Sequence, residues 1–185
     1  MGWLIVPGII AVAALWAVMT YNGLVRRKNM VAEAWSGIDA QLKRRADLIP
    51  NLVETVKGYA AHERDTFDEL ARLRASVQNE TNVAARAQTE TAIVAALTHL
   101  LGVAEAYPEL KASDNFRLLQ SQLADTEDQI QLARRYYNGT VRNYNIVIEQ
   151  FPSNFIASFG KFSPAPFFQI ENDSDRQVPN ANFPA

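Results

Sequence analysis

No cysteine occurs in the 185 residues, so disulfides, thiolate metal sites and cysteine nucleophiles are excluded together. Histidine is scarce as well. Only His62 and His99 occur, and neither follows a glutamate by three residues, so the Glu-x-x-His pairs of a di-iron bundle are missing. His62-Glu63 also lacks the second histidine of a zinc-protease helix. Eight scattered glycines form no phosphate or dinucleotide loop, and no Gly-x-Ser-x-Gly is present. With 18 basic and 20 acidic residues the net charge is -2, which gives no global field to attract nucleic acid. Glu33, Asp39 and Asp47 stand too far along the chain from Glu127 and Glu149 to read as a paired acid and base. They read instead as solvated helix faces and as partners for Arg45 or Arg135. No catalytic residue, cofactor or metal is expected, and the chain is read as a non-enzyme.

The most informative absence is charge in the first twenty-five residues: none occurs from Met1 to Val25, and Arg26-Arg27-Lys28 follows at once. As a helix, Trp3 to Tyr21 spans roughly the ~30 Å hydrocarbon layer, at ~1.5 Å per residue. Trp3 and Tyr21 then fall where aromatic rings favour the interfaces, with Trp16 inside the span. A cleaved signal peptide competes, because Ala11-Val12-Ala13-Ala14 offers small residues. Its basic n-region is missing, which favours an uncleaved anchor. A dense basic run lies directly after the apolar stretch, so the positive-inside tendency predicts a single pass with the N-terminus outside and the body cytoplasmic. Pro7 and Gly8 suit a membrane helix better than a soluble one.

The remaining ~160 residues suit one module, large enough to bury a core without cross-links. From Lys28 to about Gln78 apolar residues keep helical spacing. Trp35, Leu42, Ile49 and Val56 stand seven apart, and Val31, Ile38, Leu52 and Tyr59 take the companion heptad position. Arg45 occupies that companion position. It reads either as a buried guanidinium that needs a carboxylate or helix-end carbonyls, or as a snorkelling surface arginine. Pro50 predicts a kink or restart near residues 47–50, with Asp47 as a possible cap, and the chain reversal is placed near residue 60. A third helix runs from Val83 to Ala106 and ends before Pro108.

Ser113 or Asp114 can cap a fourth helix, in which Phe116, Leu123, Ile130, Tyr137, Tyr144 and Phe151 hold six successive heptad positions. Leu119, Thr126, Ala133, Thr140 and Val147 are its smaller companions. The predicted fold is all-α: a transmembrane anchor (residues 1–25), an elongated antiparallel four-helix bundle with coiled-coil packing (26–151) and an aromatic, Pro/Asn-rich tail (152–185). The helix repeats Tyr-Asn at Tyr137-Asn138 and Tyr144-Asn145, with two readings open. The asparagines fix helix register, or the repeat forms a partner-binding surface. Asn138-Gly139 predicts a softened point within the helix. In the tail, Phe155, Ile156, Phe159 and Phe162 share helical spacing, and this piece can lie along the bundle, on a membrane or on a second subunit.

Several segments resemble one known family, in order along the chain: Tyr21-Asn22, Ala34-Trp35-Ser36, Arg45-Ala46-Asp47-Leu48-Ile49-Pro50-Asn51-Leu52-Val53, Val56-Lys57-Gly58-Tyr59, Tyr107-Pro108-Glu109-Leu110-Lys111-Ala112, and Tyr137-Asn138 to Phe151-Pro152. On these residues the chain resembles the LemA family of bacterial membrane-anchored proteins. The resemblance implies one amino-terminal membrane helix with a tiny external stub, a cytoplasmic four-helix bundle and no settled molecular function. It also implies frequent encoding near a membrane metalloprotease, and a relative that takes part in magnetosome membrane formation. The expected role is a non-enzymatic scaffold at the bacterial inner membrane that self-associates as a homo-oligomer. The alternatives are an adaptor or regulator of a membrane protease, and a lipid-responsive module in which Arg26, Arg27, Lys28 and the phenylalanine tail act on membrane lipid.

Overall fold

A computed structural model of the chain describes residues 5–60 and 62–169. Trp3, the external stub and the tail beyond residue 169 lie outside them. Every element among the described residues is a helix: α1 (Ile5–Lys57), α2 (Arg64–Asn79), α3 (Val83–Glu105), α4 (Pro108–Ala112), α5 (Asp114–Glu149) and α6 (Ser153–Phe159).

The apolar start and the heptad-patterned stretch that follows are one helix. From Val6 to Met19 every side chain of α1 except that of Ala17 is exposed, with Val12 at 69% and Ile9 and Ile10 similar. A soluble core helix of this composition would be buried, so the stretch is a candidate membrane span. Past Tyr21 the helix acquires a covered face: Leu24, Val31, Ile38, Leu42, Ile49, Leu52 and Val56 are all buried.

Pro50 does not restart the helix, and Asp47 caps nothing new, because α1 runs through both. Proline removes the amide that would have bonded the carbonyl four residues back. That carbonyl belongs to Ala46, and Arg74 Nε of α2 donates to it at 3.1 Å. The carbonyl that Pro50 leaves unpaired is thus satisfied by a donor 28 residues away. Reversal comes where residue 60 predicted it: Tyr59 and Ala60 amides both donate to Val56 O at 2.9 Å, closing the last turn. Tyr59 lies beyond α1 and is exposed, so the companion heptad ends at Leu52.

Asn82 starts α3 by accepting from the amides of Ala84 and Ala85 at 2.9 and 3.1 Å, and Pro108 opens α4, where its missing N–H has no partner to lose. α4 itself was not predicted, being too short to carry a period. In α5 the heptad residues Phe116, Leu123, Ile130, Tyr137 and Tyr144 are buried. The sixth, Phe151, is not: it falls after the helix and is 73% exposed. Late companions shift as well, since Val141 and Ile148 are buried while Thr140 and Val147 are only partly so. A 3.6-residue helix drifts ~20° per strict heptad, enough over five heptads to bring the next position inward.

By contacts the chain divides into two units. One comprises the chain up to Leu42 with Asp128–Phe167; the other is built on Lys43–Glu127. In the second, Ile49, Leu52 and Val56 of α1 pack with Phe67 and Leu70 of α2, Ile93, Leu97 and Leu100 of α3, Leu110 of α4, and Phe116 and Leu123 of α5.

Candidate functional site

Among the described residues two buried polar clusters stand out, one in each unit, and they differ in kind. In the unit of Lys43–Glu127, Arg45 is 1% exposed and donates through Nη2 to Glu90 Oε2 and through Nη1 to Glu127 Oε2 at 2.7 Å. Glu90 is equally buried, and its other oxygen accepts from Arg86 Nε at 3.0 Å. Arg86 also donates through Nη1 to Val77 O at 2.7 Å, satisfying a carbonyl in the last turns of α2. Arg45 is therefore the buried, carboxylate-paired arginine and not the snorkelling one. Glu127 was a named partner; Glu90 and Arg86 were not, because no local pattern marks an interior ion pair on an alanine-rich helix. Four side chains from α1, α3 and α5 are locked to one another, with Arg45 Nε left unpaired. Such a cluster holds helices in place.

The other unit carries the Tyr-Asn repeat. Its partner is the chain's own stretch from Ser163 to Pro166. Tyr137 O–H donates to Pro166 O at 2.8 Å and Tyr144 O–H to Ser163 O at 3.2 Å. Asn145 uses both ends of its amide on one residue: Nδ2 donates to Ala165 O at 3.0 Å, and Ala165 N donates to Oδ1 at 2.8 Å. The pattern follows from the sequence Ser163-Pro164-Ala165-Pro166. This segment has no secondary structure, and its two prolines have no amide hydrogen, so Ala165 holds the only N–H between them that needs an acceptor. Asn145 meets that need. Asn138 is partly buried one helical face away, and Gly139 sits in unbroken helix.

Aromatic contacts extend the clasp to α1. Trp35 packs on Tyr137 with ring centroids 5.5 Å apart, and Tyr21 meets Phe162 edge-on, also at 5.5 Å. At Gly160 an added Cβ would lie 2.6 Å from the Phe162 ring and 3.1 Å from that of Tyr21, so the missing side chain permits the close approach. Burial raises the phenols of Tyr137 and Tyr144 above their ordinary value of 10.0, which keeps both as neutral donors.

The phenylalanines separate into two groups. Phe162 turns inward against Tyr21, whereas Phe155 and Phe159 stand four apart on one exposed face of α6, Phe159 at 90%, with Phe151 edge-on to Phe155 at 5.9 Å. Ala157 covers the opposite, buried side. Arg26, Arg27 and Lys28 are exposed, as is Trp16. His62 is exposed, and exposed His99 lies 3.2 Å from Thr66 Oγ1 through Nδ1. Among the described residues no three His, Cys, Asp or Glu side chains gather as a metal site would require.

A family model described as the LemA family matches residues 34–183. The chain belongs to the LemA family. The match covers the buried arginine, the Tyr-Asn repeat and the segment that it clasps. Similar proteins include magnetosome protein MamQ 2 of Paramagnetospirillum magneticum, 24% identical over 95% of this chain and 75% of that protein. Protein LemA of Metamycoplasma hominis is 27% identical over 74% of this chain and 63% of its own length. Magnetosome protein MamQ of Magnetospirillum gryphiswaldense is 22% identical over 86% of this chain and 68% of its own. This LemA-family chain is thus a helical, membrane-associated protein, with one helix near its amino terminus long and apolar enough to cross a membrane.

Proposed function

We propose that this LemA-family protein is a non-enzymatic, membrane-anchored scaffold of the bacterial inner membrane, single-pass, with its amino terminus outside and an antiparallel helical bundle in the cytoplasm, where copies gather into a homo-oligomer. The observation that carries this reading is the continuity of α1, whose exposed apolar stretch and core-forming stretch are a single helix. A continuous helix transmits position and rotation, so anchors that gather bring their bodies with them. Arg26, Arg27 and Lys28 directly after the span support the orientation. Relatives named as magnetosome proteins accord with a membrane-organising role. The test is the mass of the full-length protein in detergent by light scattering. Several chains per particle are expected, and a strictly monomeric particle across detergents overturns the scaffold. Crosslinking in cells that recovers a membrane protease in place of further copies would favour an adaptor.

A second reading, a lipid-responsive module, is favoured by the exposed face of Phe151, Phe155 and Phe159. Gly160, next in the chain to Phe159, abuts Tyr21 at the end of the candidate span, which supports a position for this aromatic face near the bilayer surface. Replacing Phe155 and Phe159 by serine should then weaken liposome binding by the fragment 29–185, which lacks the anchor. Unchanged binding would reject that role.

A further inference from the structure

We infer that a groove between α1 and α5 binds the phosphate headgroup of an anionic membrane phospholipid. The groove encloses about 480 Å³, and its lining includes Arg26, Arg27 and Met30 of α1 with Asn143, Ile146 and Val147 of α5. Its height follows from the sequence. Arg26 lies five residues beyond Tyr21, ~7.5 Å along a helix axis, which is the depth of the headgroup layer when Tyr21 marks the hydrocarbon edge.

Both arginines have capacity to spare. Arg26 makes no hydrogen bond or ion pair among the described residues, and Arg27 is held only by a 3.3 Å bond from Nη1 to Gly23 O on its own helix. Planar guanidinium groups match a phosphate's oxygens in pairs, and Asn143 adds an amide donor at the rim. The walls decide which phosphate. Met30 and Ile146 are exposed apolar side chains beside the two cations, so the groove offers one charged and one greasy surface. Inorganic phosphate gains nothing from that apolar wall, and a zwitterionic lipid only partly neutralises the arginines. An anionic glycerophospholipid satisfies both, with its phosphate on the guanidinium groups, its glycerol against Ile146 and the apolar part of its outer headgroup toward Met30.

The inference rests on the anchor reading, and its test separates the two. Full-length protein is taken up in micelles with equal amounts of phosphatidylglycerol and phosphatidylcholine, and the retained lipid is counted by native mass spectrometry. Phosphatidylglycerol should be retained in preference by a factor on the order of ten. The preference should fall severalfold in Arg26→Gln/Arg27→Gln, which keeps Lys28, and in Ile146→Asp, while helicity by circular dichroism stays unchanged. Equal retention of the two lipids, an undiminished preference in either variant, or displacement of the lipid by inorganic phosphate each overturns the site. Alkaline extraction of membranes reports on the anchor alone: release of the wild-type protein defeats the anchor reading itself, whereas retention combined with any of those lipid results defeats only the groove.

Discussion

The two units solve the same problem, polar groups in a helical interior, with opposite chemistry. The unit of Lys43–Glu127 buries ions, and the unit containing the Tyr-Asn repeat buries neutral donors and acceptors. Arg45, Glu90, Arg86 and Glu127 bind side chain to side chain and tie together helices distant in sequence. Tyr137, Tyr144 and Asn145 bind side chain to backbone and tie down a segment with no secondary structure of its own. An interior ion cluster is intolerant, since losing one member strands a charge. A set of neutral hydrogen bonds is lost one bond at a time.

The largest expected effect is therefore Glu90→Ala, which leaves Arg45 and Arg86 buried without the carboxylate that they share. Unfolding of the full-length protein in detergent should show a loss of about 3–5 kcal/mol. Arg45→Met should cost clearly less, because Glu90 keeps Arg86 and Glu127 is partly exposed. Equal losses in the two variants would break the picture of Glu90 as the shared centre. Next comes Asn145→Ala, which removes both bonds to Ala165 for about 2–3 kcal/mol and should speed tryptic cutting after exposed Lys161. Glu90→Ala assayed under native conditions should leave that cleavage rate near wild type, and similar acceleration in both variants would erase the distinction between the units.

Alkaline pH sharpens the contrast further. Tyr137 and Tyr144 have folded pKa values raised above 10.0, so their contribution to stability is fully present below pH 10.0 and is lost as pH rises through the folded values. A Tyr137→Phe/Tyr144→Phe variant, already less stable at neutral pH, should lose less than wild type between neutral and strongly alkaline pH. Parallel curves would show that these phenols are not the groups responsible. The smallest effect is expected at Lys161, whose φ of 54° is a left-handed conformation that glycine adopts freely. Lys161→Gly should stabilise the turn after α6 by about 0.5–1 kcal/mol, measured as slower release of the clasped segment.

Much of the architecture was legible because it is periodic. The uncharged start, the heptads of α1 and α5, the boundary before Pro108 and the reversal near residue 60 all express local rules that a linear chain displays. Arg45 was legible as an anomaly: a charge on an apolar stripe demands a partner. Its partner Glu90 was not, because a glutamate on a helix usually faces water and only the packing of α3 turned this one inward. The Tyr-Asn repeat was found but read as a feature between helices or toward a partner. The hydrogen bonds of Tyr137, Tyr144 and Asn145 run to a segment up to 29 residues away along the chain, and no period connects the two.

By itself, then, the sequence determined what each stretch prefers: an apolar span followed by cations, amphipathic helices, and a proline-rich strip short of amide donors. Only the tertiary structure decided where each unmet bond goes. Ala46 O, freed by Pro50, finds Arg74; Glu90 finds Arg45 and Arg86; Ala165 finds Asn145. The physical reason is that solvation preference is a property of single residues and short windows, whereas a buried hydrogen bond is a property of two positions that packing alone brings together.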